Sequence, residues 1–177
     1  PTPETIPLTI DDVSNVRWSY GGGKLLSEIA LYCYREMYGF DKFSIVRLHN
    51  IYGPRMGFEH VVPQFIERIL KKEFPFKIYG GEETRSFCYI TDVLDSLTHI
   101  MESDESNGEI YNVGNDDEEI KIIDLAKVLF EIADVSTDIE VLPAPKGSVS
   151  RRCPDITKLK SIGYEKQTSL KEGLNNT

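Results

Sequence analysis

The chain has 177 residues, of which 40% are hydrophobic and 28% charged, with a net charge of −9. This composition is typical of a globular protein with a real hydrophobic core, large enough for one domain or slightly more. The charge argues against broad binding to nucleic acids or to anionic membranes. No apolar run approaches the length of a membrane span, about 18 residues, and no signal-peptide pattern is present.

Cysteine and histidine are few and widely spaced. Cys33, Cys88 and Cys153 form no Cys-x-x-Cys pair, and the three histidines have no metal-ligand spacing. We therefore expect neither a metal site nor a disulfide framework. A reducing cytoplasmic location is the simplest interpretation.

The first elements in chain order are a loop and a long helix. Residues 1–17 are polar, with prolines at positions 1, 3 and 7, and are predicted to be extended. The helix predicted at about residues 20–38 is apolar nearly all round, so we expect it to be buried on more than one side. One side would face a sheet. The other would face either a second subunit or the interior of one large domain, and the pattern favours neither.

The remaining elements follow from apolar periodicity and from glycine and proline punctuation. Strands are predicted at residues 43–48, 76–79, 85–90, 109–113 and 139–142. Helices are predicted at about residues 63–72, 91–101 and 122–133, with a short helix from Asp155 and a last one opened by a Ser169–Glu172 capping box. The acidic run at residues 116–119 is expected to be solvated and to face the positive end of the next helix.

Strands that alternate with helices predict an α/β protein. A dinucleotide-binding fold also needs a Gly-rich turn that brings backbone N–H groups to the pyrophosphate. No G-x-G-x-x-G occurs here, and Gly21-Gly22-Gly23 follows no predicted strand. The strands at residues 43–48 and 109–113 would then lack most of their sheet. We expect either a fragment or a chain whose other half is supplied separately.

Tyr20 and Lys24 are four residues apart, so a helix places them on one face, one turn apart. A free phenol has a pKa of about 10, and a fixed ammonium beside it favours the phenolate. The spacing therefore suits acid–base chemistry, although a solvated helix face has the same pattern. A second copy, Tyr38-x-x-x-Lys42, is interrupted by Gly39, which is typical of a helix C-cap. Tyr38 and Lys42 should therefore not lie on one helical face.

Four motifs occur in a fixed order along the chain. They are Tyr20-x-x-x-Lys24, Arg47-x-x-Asn50-Ile51-Tyr52-Gly53-Pro54, Thr84-Arg85-Ser86-Phe87-Cys88-Tyr89-Ile90-x-Asp92 and Tyr111-Asn112-Val113-Gly114. Together they resemble the extended short-chain dehydrogenases/reductases, in the nucleotide-sugar epimerase, dehydratase and decarboxylase branch. The resemblance runs from about Pro3 to Gly173 and leaves out the first half of that family's fold.

The resemblance implies the C-terminal part of an NAD-binding Rossmann-like fold plus a small α/β substrate-binding domain. Residues 1–53 would be the remainder of the Rossmann-like domain. Residues 54–177 would mainly form the nucleotide-sugar-binding region, with residues 91–114 returning to the Rossmann sheet.

The resemblance also implies site residues near the cofactor. Tyr20 would be the general base that takes a proton from a sugar hydroxyl while hydride passes to NAD. Lys24 would favour the phenolate and bind the nicotinamide ribose. Leu48 and His49 lie where, in members of the family, the backbone passes the nicotinamide. The family's upstream catalytic Ser or Thr has no counterpart here.

The substrate side is implied in the same way, with alternatives. Asn50 would contact the diphosphate or sugar, or be a turn residue. Arg85 would bind the pyrophosphate, or form a structural ion pair. Either Arg151 or Arg152 would contact a phosphate or the base. Val61, Val62, Pro63 and Phe65 would line the nucleobase slot, or pack in the core.

The implied activity is that of an NAD-dependent nucleotide-sugar epimerase or dehydratase, with a UDP-sugar 4-epimerase or a UDP-glucuronate decarboxylase favoured. Arg55-Met56 after Gly53-Pro54 resembles the decarboxylase subgroup, although the loop that follows is shorter. The expected assembly is a homodimer formed through the helix at residues 20–38. The alternatives are a non-catalytic module that binds a nucleotide sugar or NAD, or an inactive truncated chain.

Overall fold

Helices and strands alternate along most of the chain. The computed structural model describes residues 1–10, 12–16, 18–145 and 147–177, so positions 11 and 17 of the predicted N-terminal loop lie outside the described residues. The helices are α1 Trp18–Tyr38, α2 Val61–Leu70, α3 Ile90–Glu102, α4 Ile122–Ala133, α5 Thr157–Ser161 and α6 Leu170–Asn175. The strands are β1 Ile45–Leu48, β2 Ile51–Tyr52, β3 Phe76–Tyr79, β4 Thr84–Ser86, β5 Cys88–Tyr89, β6 Ile110–Val113, β7 Glu119–Lys121, β8 Ile139–Leu142 and β9 Arg151–Arg152.

Most strand pairs are parallel, which confirms the α/β prediction. β1 pairs with β6, β2 with β5 and β3 with β8, each in parallel. β4 is the centre of a three-stranded sheet, antiparallel to β7 and parallel to β9. The residues that follow β1 and β2 at their carboxyl ends lie on the wall of the fold's main opening.

The single strand predicted at residues 85–90 is two strands, so that prediction was wrong. β4 and β5 belong to different sheets, with Phe87 between them. Phe87 is buried and packs edge-on against Tyr52, with ring centroids 6.1 Å apart. The chain changes sheets at this buried ring.

Two hydrophobic clusters form the core. The larger one joins β2, β3 and β5 to α2, α4 and α6, and includes the edge-to-face pairs of Phe76 with Phe65 and with Phe130. The smaller one joins β6 to α3 and α5, with Tyr111, Val113 and Leu159 at its centre. Val46 of β1 packs against the smaller cluster.

The acidic run at residues 116–119 is not a solvated face, and that expectation was wrong. Asp116 pairs with Lys160 at 2.8 Å, and Glu118 with Lys166 at 2.8 Å. Glu119 opens β7, a strand the sequence did not predict. The carboxylates are paired because the C-terminal segment brings its lysines back onto this loop.

Helix α1 ends where its sequence predicts. Gly39 has a φ of +64° and its N–H donates to the carbonyl of Arg35 at 2.9 Å, so Tyr38 and Lys42 do not share a helical face. No residue of α1 is buried, contrary to the expected burial on more than one side. Its open apolar side chains are Leu26, Ile29, Tyr34, Met37 and Tyr38. None of the helices in the described ranges is long and apolar enough to span a bilayer.

Candidate functional site

Tyr20 and Lys24 lie in the first two turns of α1 and come together as their spacing predicts. The Lys24 Nζ atom is 5.5 Å from the centroid of the Tyr20 ring. Tyr20 is 76% exposed, and Lys24 forms no hydrogen bond or ion pair with a residue that the structure describes. The phenol and the ammonium are therefore both available to a ligand.

Two cavities meet at Tyr20. The larger, here called the main cleft, has a volume of about 980 Å³ and opens beyond the carboxyl ends of β1 and β2. Its wall consists of Thr2, Tyr20, residues 48–56, His60, Val61, Phe87, Ile90, Val149, Arg151, Arg152 and Cys153. The smaller, here called the helix cavity, has a volume of about 580 Å³ and lies between the N-terminal segment, α1 and β1. Its wall includes Lys24 and Leu48.

The main cleft carries positive charge in an acidic protein. The chain contains 29 aspartates and glutamates. The described residues of the cleft wall include Arg55, Arg151 and Arg152 and no carboxylate. A cleft lined by one sign of charge concentrates ligands of the opposite sign, and guanidinium groups match phosphate and carboxylate geometry. The cleft therefore suits an anionic ligand.

The register of β4 and β9 distinguishes the arginines. Arg85 pairs in register with Arg152, so the two side chains lie on the same face of the sheet. Arg152 has no hydrogen bond or ion pair with the described residues. Arg85 donates to the carbonyls of Val149 and Thr84, each at 2.7 Å, and is not ion-paired with an acid. Burial lowers the pKa of Arg85, and the charge of Arg152 acts in the same direction.

Arg151 alternates with Arg152 along β9, and although it also lines the cleft, its charge is already neutralised. Its Nε and Nη2 donate to the Glu119 carboxylate at 2.8 and 2.7 Å. The Thr84 hydroxyl also donates to that carboxylate. The Arg151 hydrogen bonds, followed by the one from Thr84, lower the pKa of Glu119 to about 2. Of the two adjacent arginines, Arg152 is the one with free charge.

Asn50 lies on the wall of the main cleft and also makes the turn between β1 and β2. Its φ of +46° is left-handed, a conformation that Asn tolerates better than most residues. Its Nδ2 donates to the carbonyl of Ser86 at 2.9 Å, and its own carbonyl accepts from the N–H of Cys88 at 3.2 Å. Asn50 is therefore a turn residue, and the same residue also lies on the cleft wall where a ligand would bind.

The predicted nucleobase residue Val62 is placed elsewhere. It is fully buried in the larger hydrophobic cluster, whereas its neighbour Val61 lies on the cleft wall. The phase of α2, which begins at Val61, decides which of the two valines faces the opening.

His49 lies on the cleft wall and is tied to Asn112. Its Nε2 is 3.1 Å from Asn112 Oδ1. Burial lowers the pKa of His49. Asn112 is buried near the end of β6, and sequence reasoning missed its role. A polar residue near the carboxyl end of a parallel strand was the available signal, the same one that drew attention to Asn50.

An ion pair that the sequence did not predict connects α1 to β1. Glu28, one turn after Lys24, accepts from Arg47 Nε at 2.9 Å and from Nη2 at 2.7 Å. The side chains of Arg47 and Glu28 are only 17% and 16% exposed. Arg47 Nη1 also donates to the carbonyl of Glu4 at 3.0 Å. This pair fixes the helix that carries Tyr20 against the strand that ends at the cleft.

The described residues contain no group of three or more histidines, cysteines or acids arranged to hold a metal ion.

The comparison with family models decides the relationship. Residues 1–114 match the NAD dependent epimerase/dehydratase family. The chain belongs to this family. Its resemblance to the extended short-chain dehydrogenases/reductases, in their nucleotide-sugar branch, is thereby confirmed.

Individual members of the family are also similar to the chain in sequence. The chain is 35% identical over 177 residues to UDP-glucuronic acid decarboxylase 5 of Arabidopsis thaliana, covering 98% of this chain and 50% of the relative. It is 34% identical over 165 residues to UDP-glucuronic acid decarboxylase 1 of Xenopus tropicalis, covering 91% of this chain and 38% of that protein. The chain thus spans about half the length, or less, of these curated family members.

Solved structures of epimerases match the whole fold described above. The UDP-glucose 4-epimerase of Thermotoga maritima, solved with UDP-glucose, superposes with a TM-score of 0.86 at 34% identity, over 100% of this chain and 55% of that one. The UDP-glucuronic acid 4-epimerase of Bacillus cereus, solved with UDP-glucuronic acid and NAD, gives a TM-score of 0.81 at 28% identity, over 97% and 52%. The fold is that of about half of a Rossmann-like epimerase.

Proposed function

We propose that this chain is the nucleotide-sugar-binding half of an NAD-dependent epimerase or decarboxylase that acts on UDP-sugars. The observation that carries the proposal is the main cleft, because it combines arginine charge, a wall whose described residues include no carboxylate, and an exposed Tyr20. The ligands named for the matched epimerase structures support a UDP-sugar as the anion.

Arg152 binds the diphosphate from the cleft wall in this proposal, and Arg85, which is not among the residues that line the cleft, binds it from beside Arg152. They lie in register on one face of the β4–β9 pair, and Arg152 has no competing partner among the described residues. Arg151 supports the site indirectly through Glu119. Asn50 contacts the sugar or diphosphate from the turn, and Val61, one of the residues predicted for the nucleobase slot, lines that slot from the cleft wall.

Arg55 provides a further cation on the same wall. It has no hydrogen bond or ion pair within the described part of the chain and follows directly on Gly53-Pro54. A UDP-glucuronate substrate carries a carboxylate in addition to the diphosphate. The additional guanidinium therefore favours an acidic sugar, in line with the decarboxylase relatives.

The residues near Lys24 fit the nicotinamide-ribose end of NAD. The Lys24 ammonium has no partner among the described residues and lines the helix cavity together with Leu48. NAD, when bound, supplies the oxidant for the sugar. The pyrophosphate end needs a Gly-rich turn that the 177 residues do not contain. His49 lies on the adjoining wall.

Tyr20 performs the acid–base step. Tyr20 lines both cavities, so a sugar in the main cleft and a cofactor beside Lys24 would both border it. The phenolate takes the proton of a hydroxyl of that sugar, and Lys24 stabilises the phenolate by its charge.

The open face of α1 is a subunit interface in this proposal. Leu26, Ile29, Tyr34 and Met37 recur at helical spacing and are exposed, Met37 by 69%. An apolar stripe of this kind is typical of a helical dimer contact. The three free cysteines support a cytoplasmic location.

The domain division proposed from the sequence assigns residues 1–53 to the Rossmann-like part and 54–177 mainly to substrate binding, with 91–114 returning to the Rossmann sheet. The pairing of β6 with β1 and the smaller hydrophobic cluster support the return of residues 91–114.

Product analysis tests the proposed activity. Residues 1–177, assayed together with a dinucleotide-binding half, should convert UDP-glucuronic acid or UDP-glucose in the presence of NAD. Carbon dioxide release identifies a decarboxylase, and a C4 epimer identifies an epimerase. Tyr20→Phe should abolish turnover while UDP binding persists, and turnover that survives this change would remove the catalytic assignment.

A second candidate is a binding module without turnover. The 76% exposure of Tyr20 favours it for this polypeptide alone, because an exposed phenol lacks the water-excluded surroundings of an active site. Binding of UDP-sugars with no product in the same assay would support this alternative.

A further inference from the structure

The buried side chain of Asn112 has its orientation fixed by hydrogen bonding. It is 2% exposed, and its Nδ2 donates to the carbonyls of Thr2 at 3.0 Å and Asp155 at 3.1 Å. Carbonyl oxygens only accept hydrogen bonds, so the nitrogen of the amide must face them. The amide oxygen of Asn112 therefore faces the opposite way.

That oxygen determines the tautomer of His49. Asn112 Oδ1 is 3.1 Å from His49 Nε2. An amide oxygen can only accept, so Nε2 must carry the hydrogen. Burial lowers the pKa of His49, which favours the neutral ring at neutral pH. In a neutral ring protonated at Nε2, Nδ1 is a hydrogen-bond acceptor.

The acceptor Nδ1 belongs to a side chain on the wall of the main cleft. It has no hydrogen-bond partner among the described residues. It is also not one of the buried polar atoms without a partner, which in the described residues are Glu83 Oε2 and the Tyr164 hydroxyl. His49 lines the main cleft and not the helix cavity. Among the described residues the lone pair of Nδ1 is therefore unused, on a residue that a ligand in the main cleft borders.

We propose that His49 Nδ1 accepts a hydrogen bond from a sugar hydroxyl of the bound nucleotide sugar, and that Asn112 fixes the tautomer that makes this contact possible. The inference rests on the proposed function. Ionised phosphates only accept hydrogen bonds, so they suit Arg152 and not a lone pair. The hydroxyls of a nucleotide sugar can donate. Tyr20 lies on the same wall, so a sugar that reaches Tyr20 occupies the cleft that His49 lines.

Two substitutions separate this contact from the structural bond to Asn112. In His49→Gln the side-chain amide nitrogen can replace Nε2 as the donor to Asn112, but no acceptor remains at the position of Nδ1. His49→Phe keeps the ring and removes both nitrogens. Calorimetric titration of the 177-residue chain should give an affinity for UDP-glucuronic acid that is about two- to tenfold weaker in both variants. The affinity for UDP should not change.

Each other outcome overturns the proposal. Equal weakening for UDP and UDP-glucuronic acid would assign the contact to the ribose, and unchanged affinity for both ligands would remove it. If wild-type chain binds neither ligand, the proposed nucleotide-sugar site fails together with this contact. If the wild-type chain binds UDP and the two His49 variants bind UDP-glucuronic acid as tightly as the wild type does, only the role of His49 fails.

The tautomer has its own test, independent of any ligand. Two-dimensional ¹H–¹⁵N NMR of the imidazole should find the hydrogen on Nε2 and a bare Nδ1 at neutral pH. A ring protonated at Nδ1 would contradict the proposal, even if the variants bind more weakly.

Discussion

Replacing Arg152 by glutamine should weaken UDP binding more than replacing its neighbour Arg151. Arg152 has no partner among the described residues and shares a face with Arg85, so its whole charge is available to a phosphate. A hydrogen bond to a charged group contributes about 1.5–3 kcal/mol, which corresponds to a loss of about 10- to 150-fold in affinity.

Arg151→Gln is the matched control, because it removes the same charge from the next position of β9. Its guanidinium is already neutralised by the bidentate contact with Glu119. The direct loss in UDP affinity should therefore be at most about fivefold.

Calorimetric titration with UDP at low and at elevated salt measures both effects. Arg152→Gln should also reduce the salt dependence of binding, since one charge–charge contact is lost. Equal losses for the two variants, or normal binding by Arg152→Gln, would refute the assignment of the free charge to Arg152.

Three further predictions concern α1 and the β7–β4–β9 sheet. Glu28→Gln should lower the free energy of unfolding by about 2–3 kcal/mol in urea titrations. This loss is smaller than for a fully buried ion pair because the side chains of Glu28 and Arg47 are slightly exposed. An unchanged urea midpoint would contradict the prediction. Glu119 has its pKa lowered from 4.5 to about 2, so its stabilising effect is complete above pH 4.5 and is lost as the pH falls toward 2. Urea midpoints of wild type should therefore fall more steeply across that interval than those of Glu119→Gln, and parallel curves would exclude the contribution. Ile29→Glu should convert a dimer into a monomer in light-scattering chromatography, and a wild-type monomer would remove the proposed interface.

The regular elements with strong apolar patterns could be predicted from the sequence. The bounds of α4, β3 and β8 agree with the predicted bounds, and the Ser169 side chain accepts from the N–H of Glu172 as the capping box requires. In these segments local periodicity and tertiary packing favour the same structure.

Short polar strands could not be predicted. β7 and β9 consist of two or three mostly charged residues, which have no β-forming pattern of their own. Their pairing depends on β4 and on the contact between Glu119 and Arg151, residues that lie 32 positions apart. Only the folded chain provides these partners.

The site was predictable to the level of the motif. The spacing of Tyr20 and Lys24 is sufficient to place them together on α1. The choice between Arg151 and Arg152 requires the register of β4 against β9. The tautomer of His49 requires two carbonyls near Asn112 that are distant in sequence.

The most direct test of the account is a crystal structure of the chain with UDP-glucuronic acid. The diphosphate should lie against Arg152 in the main cleft, with the sugar within hydrogen-bond distance of the Tyr20 hydroxyl and His49 Nδ1. A diphosphate bound away from Arg152, or a sugar that does not reach Tyr20, would contradict it.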